Sequence, residues 1–122
     1  MTAREMVERA KKVGSTQKVG DDILYDAVER LEKMIAKYAG ISENYKFGKD
    51  ETLLACSGEI ADGHNELYEA YIKREASKCL EDWDCFERYD ALFLLRWKDL
   101  REEIIRNGKL RLKRFEQNWN WK

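Results

Sequence analysis

Proline is absent from this chain of 122 residues, and histidine occurs only once. Proline punctuates loops and breaks helices, so its absence favours long helices over a sandwich of short strands. The three cysteines are an odd number without the spacing of a disulfide framework, and no signal-like leader opens the chain. The longest apolar run, Ala91 to Leu95, is far shorter than the roughly 20 residues of a membrane span. We therefore expect a soluble, cytoplasmic protein that does not bind membranes.

Charge is unevenly distributed although the net charge is only −1. Residues 1–20 carry +3, residues 21–100 carry −8, and residues 101–122 carry +4. Apolar residues make up 43% of the chain, which is enough for a hydrophobic core, and charged residues make up 39%, well above the usual quarter. An acidic body between two basic ends indicates long solvated faces, and this charge distribution influences which partners the protein can bind.

A stripe of large apolar side chains recurs at helical intervals in a segment without glycine. It comprises Phe86, Tyr89, Phe93, Trp97, Leu100 and Ile104. At about 100° per residue, all six lie within about 40° of Phe93. We expect this stripe to be buried and its helix to be the central rod of an all-helical domain.

Three further helices are predicted by the same periodicity and by local start and stop signals. The first spans about Thr2 to Val13, and the second begins at Asp21 or Asp22 and stops at Gly40. The third opens near Asp50 and runs to about Leu80, with Gly58 and Gly63 favouring a kink or break in its first half. The fourth, which carries the aromatic stripe, is predicted to end near Asn107-Gly108.

These elements predict an all-α fold: a single-domain bundle of four main helices over residues 1–122. Residues 1–20 form its short N-terminal helix and linker, and residues 109–122 form a basic C-terminal segment. The C-terminal segment fits either an edge strand or a helix, and we favour a helix because no partner strand is visible.

Two couples of carboxylates form the sharpest catalytic pattern. Glu29 and Glu32 are followed, after 26 intervening residues, by Glu59 and Asp62. Four carboxylates on adjacent helices can hold Mg²⁺ ions that orient a polyphosphate for attack by water. The spacing is similar to that of the all-α nucleoside triphosphate pyrophosphohydrolases, a resemblance that covers these four residues and their helical context.

The same carboxylates also fit a solvated acidic surface. The spacing rule is satisfied a second time by Glu66/Glu69 with Glu87/Asp90, and both original couples lie away from the apolar stripes of their helices. This interpretation predicts that Glu29, Glu32, Glu59 and Asp62 face water and hold no metal.

His64 lies in the apolar stripe of the third predicted helix. It fits either a general base or ligand beside Asp62 or Glu66, or a half-buried structural histidine. A zinc site with the three cysteines matches no common module. We interpret Cys56, Cys79 and Cys85 as small core residues.

The C-terminal segment interleaves basic and aromatic residues. Its candidate binding residues are Arg111, Arg114, Phe115, Trp119 and Trp121. Such a segment can dock on the acidic body of its own chain, contact a partner protein, or bind single-stranded nucleic acid through phosphate contacts and base stacking.

The sequence thus favours a small non-enzymatic interaction protein, an adaptor, assembly factor or inhibitor, that binds a partner protein through charged and aromatic helical surface and needs no cofactor. The alternatives are a Mg²⁺-dependent pyrophosphohydrolase and a nucleic-acid-binding protein. The sequence does not indicate an oligomeric state.

Overall fold

The fold was analysed in a computed structural model. The structure describes residues 2–12, 14–40, 49–50 and 63–118, with the backbone alone for residues 14–15 and 107–118. These residues form four α-helices and one 3-10 helix. They are α1 (Ala3–Lys11), the 3-10 helix (Gly14–Lys18), α2 (Asp21–Ala39), α3 (Asn65–Cys79) and α4 (Trp83–Asn118). The expected all-α helical bundle is confirmed, whereas the single-domain assignment stays a prediction.

The first two helices begin and end close to their predicted limits. Thr2 caps α1 by accepting a hydrogen bond from the Glu5 amide through its hydroxyl oxygen. Gly40 ends α2 in the left-handed conformation, with φ of 74°, which glycine adopts without steric penalty. Local capping chemistry therefore decides where both helices stop.

The helix at the centre of the bundle is α3. It packs against α1, α2, α4 and the 3-10 helix, and it buries residues on several sides, including Leu67, Tyr68 and Ile72. The expectation that the aromatic helix forms the central rod is wrong. That helix, α4, packs mainly along α3, so only part of its circumference is covered.

The predicted aromatic stripe is only partly buried. Phe93, Leu100 and Ile104 belong to the core, whereas Phe86, Tyr89 and Trp97 keep part of their surface exposed. The rings pack as a ladder across α3 and α4, with Tyr71 and Phe93 centroids 5.1 Å apart and Phe93 and Trp97 centroids 6.1 Å apart. The stripe lies along the contact between α3 and α4, which we call the seam, rather than in an enclosed core, and this accounts for its partial exposure.

A tight turn joins α3 to α4. The amide of Asp82 donates to the carbonyl of Ser77 at 2.9 Å, and the amide of Glu81 donates to the carbonyl of Lys78 at 3.1 Å. This is the hydrogen-bond pattern of a Schellman motif, whose left-handed position glycine usually occupies. Glu81 holds that position here with φ of 57°.

One predicted helix limit differs from the structure. The long helix α4 continues through Asn107 and Gly108 to Asn118, because one helical glycine costs only about 1 kcal/mol and the surrounding Lys, Leu and Arg favour helix. α3 begins at Asn65, with His64 at its N-cap. The predicted first half of the third helix, residues 51–62, lies outside the described residues. Among the described helices, none is both long and apolar enough to cross a membrane.

Candidate functional site

The predicted carboxylate couples do not assemble into a common site within the described residues. Glu29 is half-exposed and lies 3.5 Å from Lys33 on the next turn. Glu32 is only 2% exposed and belongs to the interior. Glu59 and Asp62 lie outside the described residues, so the pyrophosphohydrolase alternative stays a prediction. No group of three or more potential metal ligands occurs in the part of the chain that the structure describes.

The burial of Glu32 corrects the expectation that it faces water. The covered face of α2 is broad, because α2 packs against α1, α3 and α4 at once. That face extends from Ala27 past Glu32 to Ala36, well beyond the narrow stripe that the sequence indicates. Glu32 lies beside Tyr68 of α3, and burial together with the Glu32 carboxylate raises the pKa of the Tyr68 hydroxyl well above its ordinary value.

His64 pairs with a carboxylate that the sequence did not single out. Its Nε2 lies 2.5 Å from Oε2 of Glu103 on α4, and both side chains are largely covered. This confirms a half-buried histidine. A carboxylate in this position fixes the orientation of an imidazole, as in many general bases, but it serves equally to anchor the start of α3 to α4.

Beside this pair a cleft of ≈ 350 Å³ opens between α1, the start of α3 and α4. Its positive groups are balanced by carboxylates: Arg96 lies 2.6 Å from Glu66 and 3.5 Å from Asp99, and Arg9 pairs with Glu69. The cleft therefore has no excess positive charge with which to hold a phosphate or another anion. Its lining residues are Arg9, Gly63, His64, Asn65, Glu66, Leu67, Arg96 and Asp99.

A second charged group lies in the seam between α3 and α4. The Arg74 guanidinium of α3 is 5.1 Å from the ring centroid of Phe93, 5.2 Å from Tyr71 and 5.4 Å from Phe86. Three aromatic faces around one cation are favourable because each ring presents negative charge density at its face. The space between these rings is thus occupied by a side chain of the same chain.

Ion pairs extend from Arg74 to two neighbouring helices. Arg74 lies 3.3 Å from Asp90 of α4 and 3.5 Å from Glu75, and Glu75 lies 3.1 Å from Arg30 of α2. Arg30 in turn is 3.1 Å from Asp26. Glu75 is 6% exposed, and the two arginines offset the cost of burying a carboxylate there. The network links α2, α3 and α4 to one another, so its role is structural.

The side of α4 that faces away from α3 carries large apolar side chains in contact with water. Leu94 and Leu95 are each 54% exposed, Ile105 is 70% exposed and Trp83 is 54% exposed. Ala91 is also exposed between them. We call this surface the outer face of α4: it comprises the exposed residues of 83–106 that lie about 80° or more from Phe93, with Trp83 at its margin, where its ring packs 5.6 Å from that of Phe86. Apolar side chains grouped on one helix face are typical of a binding surface.

Charged residues flank the leucines along the outer face of α4. Asp84, Glu87 and Arg88 precede them, whereas Lys98, Arg101, Glu102 and Arg106 follow them, and all seven are exposed. Within the described residues none of the seven forms an ion pair. An apolar centre with charges at both ends is the usual layout of a protein interface, with an apolar core and a polar rim.

The outer face of α4 was not among the surfaces predicted from the sequence. The signal was available, since Leu94, Leu95 and Ile105 all lie at least about 100° from Phe93 on a helical projection. The five predicted binding residues lie instead in the C-terminal segment. Arg111, Arg114 and Phe115 lie in α4 with only their backbone described, and Trp119 and Trp121 lie outside the described residues. Their binding roles stay predictions.

The cysteines also differ from expectation in part. Cys79 is exposed rather than in the core, and Cys85 is half-buried. Cys56 lies outside the described residues.

Comparisons of the chain with protein-family models, with curated proteins and with solved structures found no match.

Proposed function

We propose that this chain is a non-enzymatic interaction protein, an adaptor, assembly factor or inhibitor, that binds a partner protein through the outer face of α4. The observation that supports the proposal is the exposure of Leu94, Leu95, Ile105 and Trp83 on the side of α4 turned away from the bundle. Leaving such side chains in water forgoes roughly 25 cal/mol for each Å² of apolar surface, which a partner would recover.

The bundle supports this face as a rigid platform. On the opposite side of the same helix, Phe93, Leu100 and Ile104 are anchored in the core. A partner therefore meets preformed α-helix rather than a loop, so little conformational entropy is lost at this site on binding. The charged residues at both ends of the face predict that binding weakens as salt concentration rises.

The C-terminal segment extends the same helix. We propose that Arg111, Arg114, Phe115, Trp119 and Trp121 make secondary contacts with the partner, since arginine and tryptophan are favoured interface anchors. We also propose that the protein works in the cytoplasm, where the exposed thiol of Cys79 stays reduced.

The proposal is tested by placing a photo-crosslinking amino acid at Leu95 and irradiating cells that naturally express the chain. The matched control places the same amino acid at Lys33, an exposed position on α2. We expect discrete protein adducts from position 95, no adducts from position 33, and loss of the position-95 adducts on Leu94→Glu. Circular dichroism of the Leu94→Glu variant checks that the fold is retained. Equal labelling from both positions, or no adduct at position 95, would contradict the proposal.

A further inference from the structure

The charges on the outer face of α4 form a pattern that reverses in sign about the two leucines. At about 100° per residue, the face has two edges. One edge carries Trp83, Glu87, Leu94, Arg101 and Ile105, and the other carries Asp84, Arg88, Leu95, Glu102 and Arg106. All ten side chains are exposed.

The first edge is symmetric about Leu94. Glu87 and Arg101 are each seven residues from Leu94 and opposite in charge, whereas Trp83 and Ile105 are each eleven residues away and both apolar. A second copy of the same edge, running in the opposite direction, would thus bring each carboxylate to an arginine and each apolar side chain to an apolar one.

The second edge repeats this relationship about Leu95. Arg88 and Glu102 are each seven residues from Leu95, and Asp84 and Arg106 are each eleven residues away. Both couples again have opposite charges. The centres of the two edges differ by one residue, about 1.5 Å along the helix axis, which a small crossing angle between two helices accommodates.

We infer that the partner of the outer face of α4 is a second copy of this chain, bound antiparallel across a two-fold axis at Leu94 and Leu95. The inference rests on the proposed function and names the partner for the same surface. A two-fold axis between antiparallel helices brings each edge against its own copy, so both sets of couples form simultaneously and each forms twice. The leucines meet at the axis, and Ala91 of each copy faces Lys98 of the other.

A parallel pair suits the face less well. It would still bring Glu87 to Arg88 and Arg101 to Glu102, but it would set the apolar Trp83 and Ile105 against the charged Asp84 and Arg106, whereas the antiparallel pair matches all of these positions. It would also lay two copies of residues 107–118 side by side, and each of these segments carries net positive charge in its sequence. The antiparallel arrangement separates the segments and opposes the two helix dipoles favourably.

The test is a charge exchange followed by sedimentation equilibrium of the full chain. In the antiparallel pair, Glu87→Arg and Arg101→Glu each create two like-charge contacts and should each raise the dimer dissociation constant on the order of tenfold. The double variant restores opposite charges and should return the constant toward that of the wild-type chain. In a parallel pair the two changes would add, since each would face a like charge on the other edge.

The matched control is the double exchange Glu29→Lys with Lys33→Glu, which reverses an exposed ion pair on α2 and should leave assembly unchanged. In a background with Cys56, Cys79 and Cys85 replaced by serine, a mixture of Glu87→Cys and Arg101→Cys chains should form a disulfide between copies. Neither variant should form one alone, because the two positions are about 21 Å apart along one helix.

Three results would overturn the inference: a wild-type chain that sediments as a monomer at every concentration, a dimer whose double variant fails to recover, or a dimer without the mixed disulfide. A monomeric chain that still gives adducts of another protein at position 95 would remove the second copy as partner and leave the proposed function standing. A monomeric chain without such adducts would remove both.

Discussion

The Arg74 guanidinium of α3 lies 5.1 Å from the ring centroid of Phe93 on α4, within the contact between these two helices. The same cation reaches Asp90 on α4 and Glu75 on its own helix. Apolar and ionic contacts are therefore made by a single side chain across this seam. Because α3 packs against every other described helix, a substitution at Arg74 affects the packing of the whole bundle.

Arg74→Ala should lower the free energy of unfolding by about 2–3 kcal/mol, since it leaves Glu75 buried with one arginine instead of two and uncovers three rings. Arg74→Lys should still lower it by about 1–2 kcal/mol, because an ammonium can neither stack flat on rings nor reach two carboxylates as a planar fork. Urea unfolding measures both changes. Lys78→Ala, at an exposed position on α3, is the control and should stay within about 0.5 kcal/mol of the wild-type chain. A lysine variant as stable as the wild-type chain would refute this role of the guanidinium.

Glu81→Gly should stabilise the protein. A non-glycine residue with positive φ lowers stability by about 1–2 kcal/mol. Glycine also has more conformational freedom in the unfolded chain, which reduces the gain from the substitution by about 0.4–1 kcal/mol. The net gain expected from thermal unfolding is thus about 0.5–1 kcal/mol. Glu81→Ala is the control: it keeps the Cβ atom and should change stability little. If alanine stabilises as much as glycine, backbone strain is not the cause.

Stability should fall as pH rises above about 10. Burial raises the pKa values of Tyr25, Tyr68 and Tyr71 in the folded chain, with Tyr68 raised furthest. Above the unfolded value near 10, the unfolded chain loses these protons before the folded chain does, so each pH increment favours unfolding until the folded pKa is reached.

The alkaline effect is measured by following phenolate absorbance in the folded and the denatured chain. The folded chain should show fewer ionised tyrosines at the same pH. Tyr68→Phe should weaken the decline of stability above pH about 10, because it removes the largest of the three contributions. Coincident titration curves for folded and denatured chains would be incompatible with this account.

Asp82 should control the reactivity of Cys85. The Asp82 carboxylate caps α4 by accepting a hydrogen bond from the Cys85 amide at 3.3 Å, and it also raises the pKa of the Cys85 thiol. Asp82→Asn keeps a good N-cap but removes the negative charge. In a chain with the other two cysteines replaced by serine, this variant should lower the pH at which iodoacetamide alkylation of Cys85 reaches half its maximal rate. An unchanged pH profile would show that the carboxylate does not act on the thiol.

The two ends of α2 could be predicted from the sequence because they depend on neighbouring residues. Asp21 and Asp22 favour a helix start, and Gly40 provides a left-handed stop whose geometry is set within a few residues. The prediction that α4 ends near Gly108 was wrong, because the end of that helix does not depend on one neighbouring residue alone. A local stop signal is a preference of about 1 kcal/mol, which the helix formers around it outweigh.

The surroundings of Glu32 and His64 could not be predicted from local pattern. His64 meets Glu103, which is 39 residues away in the chain, and no periodicity connects the two positions. Glu32 is buried because three helices surround α2, whereas a single stripe implies one covered side. The outer face of α4 could be predicted from a helical projection, because Leu94 and Leu95 lie about 100° and 160° from Phe93.

The short turn between α3 and α4 also bears on how the chain folds. Only three residues, 80–82, separate these helices, whereas 25 residues separate Ala39 from Asn65. Contacts between α3 and α4 are therefore close in sequence and lose little chain entropy when they form, while docking α1 and α2 must bring together residues much further apart in the chain. We expect the α3–α4 hairpin to be the early-forming unit, so the aromatic seam around Arg74 would be made first and the remaining helices would assemble on it.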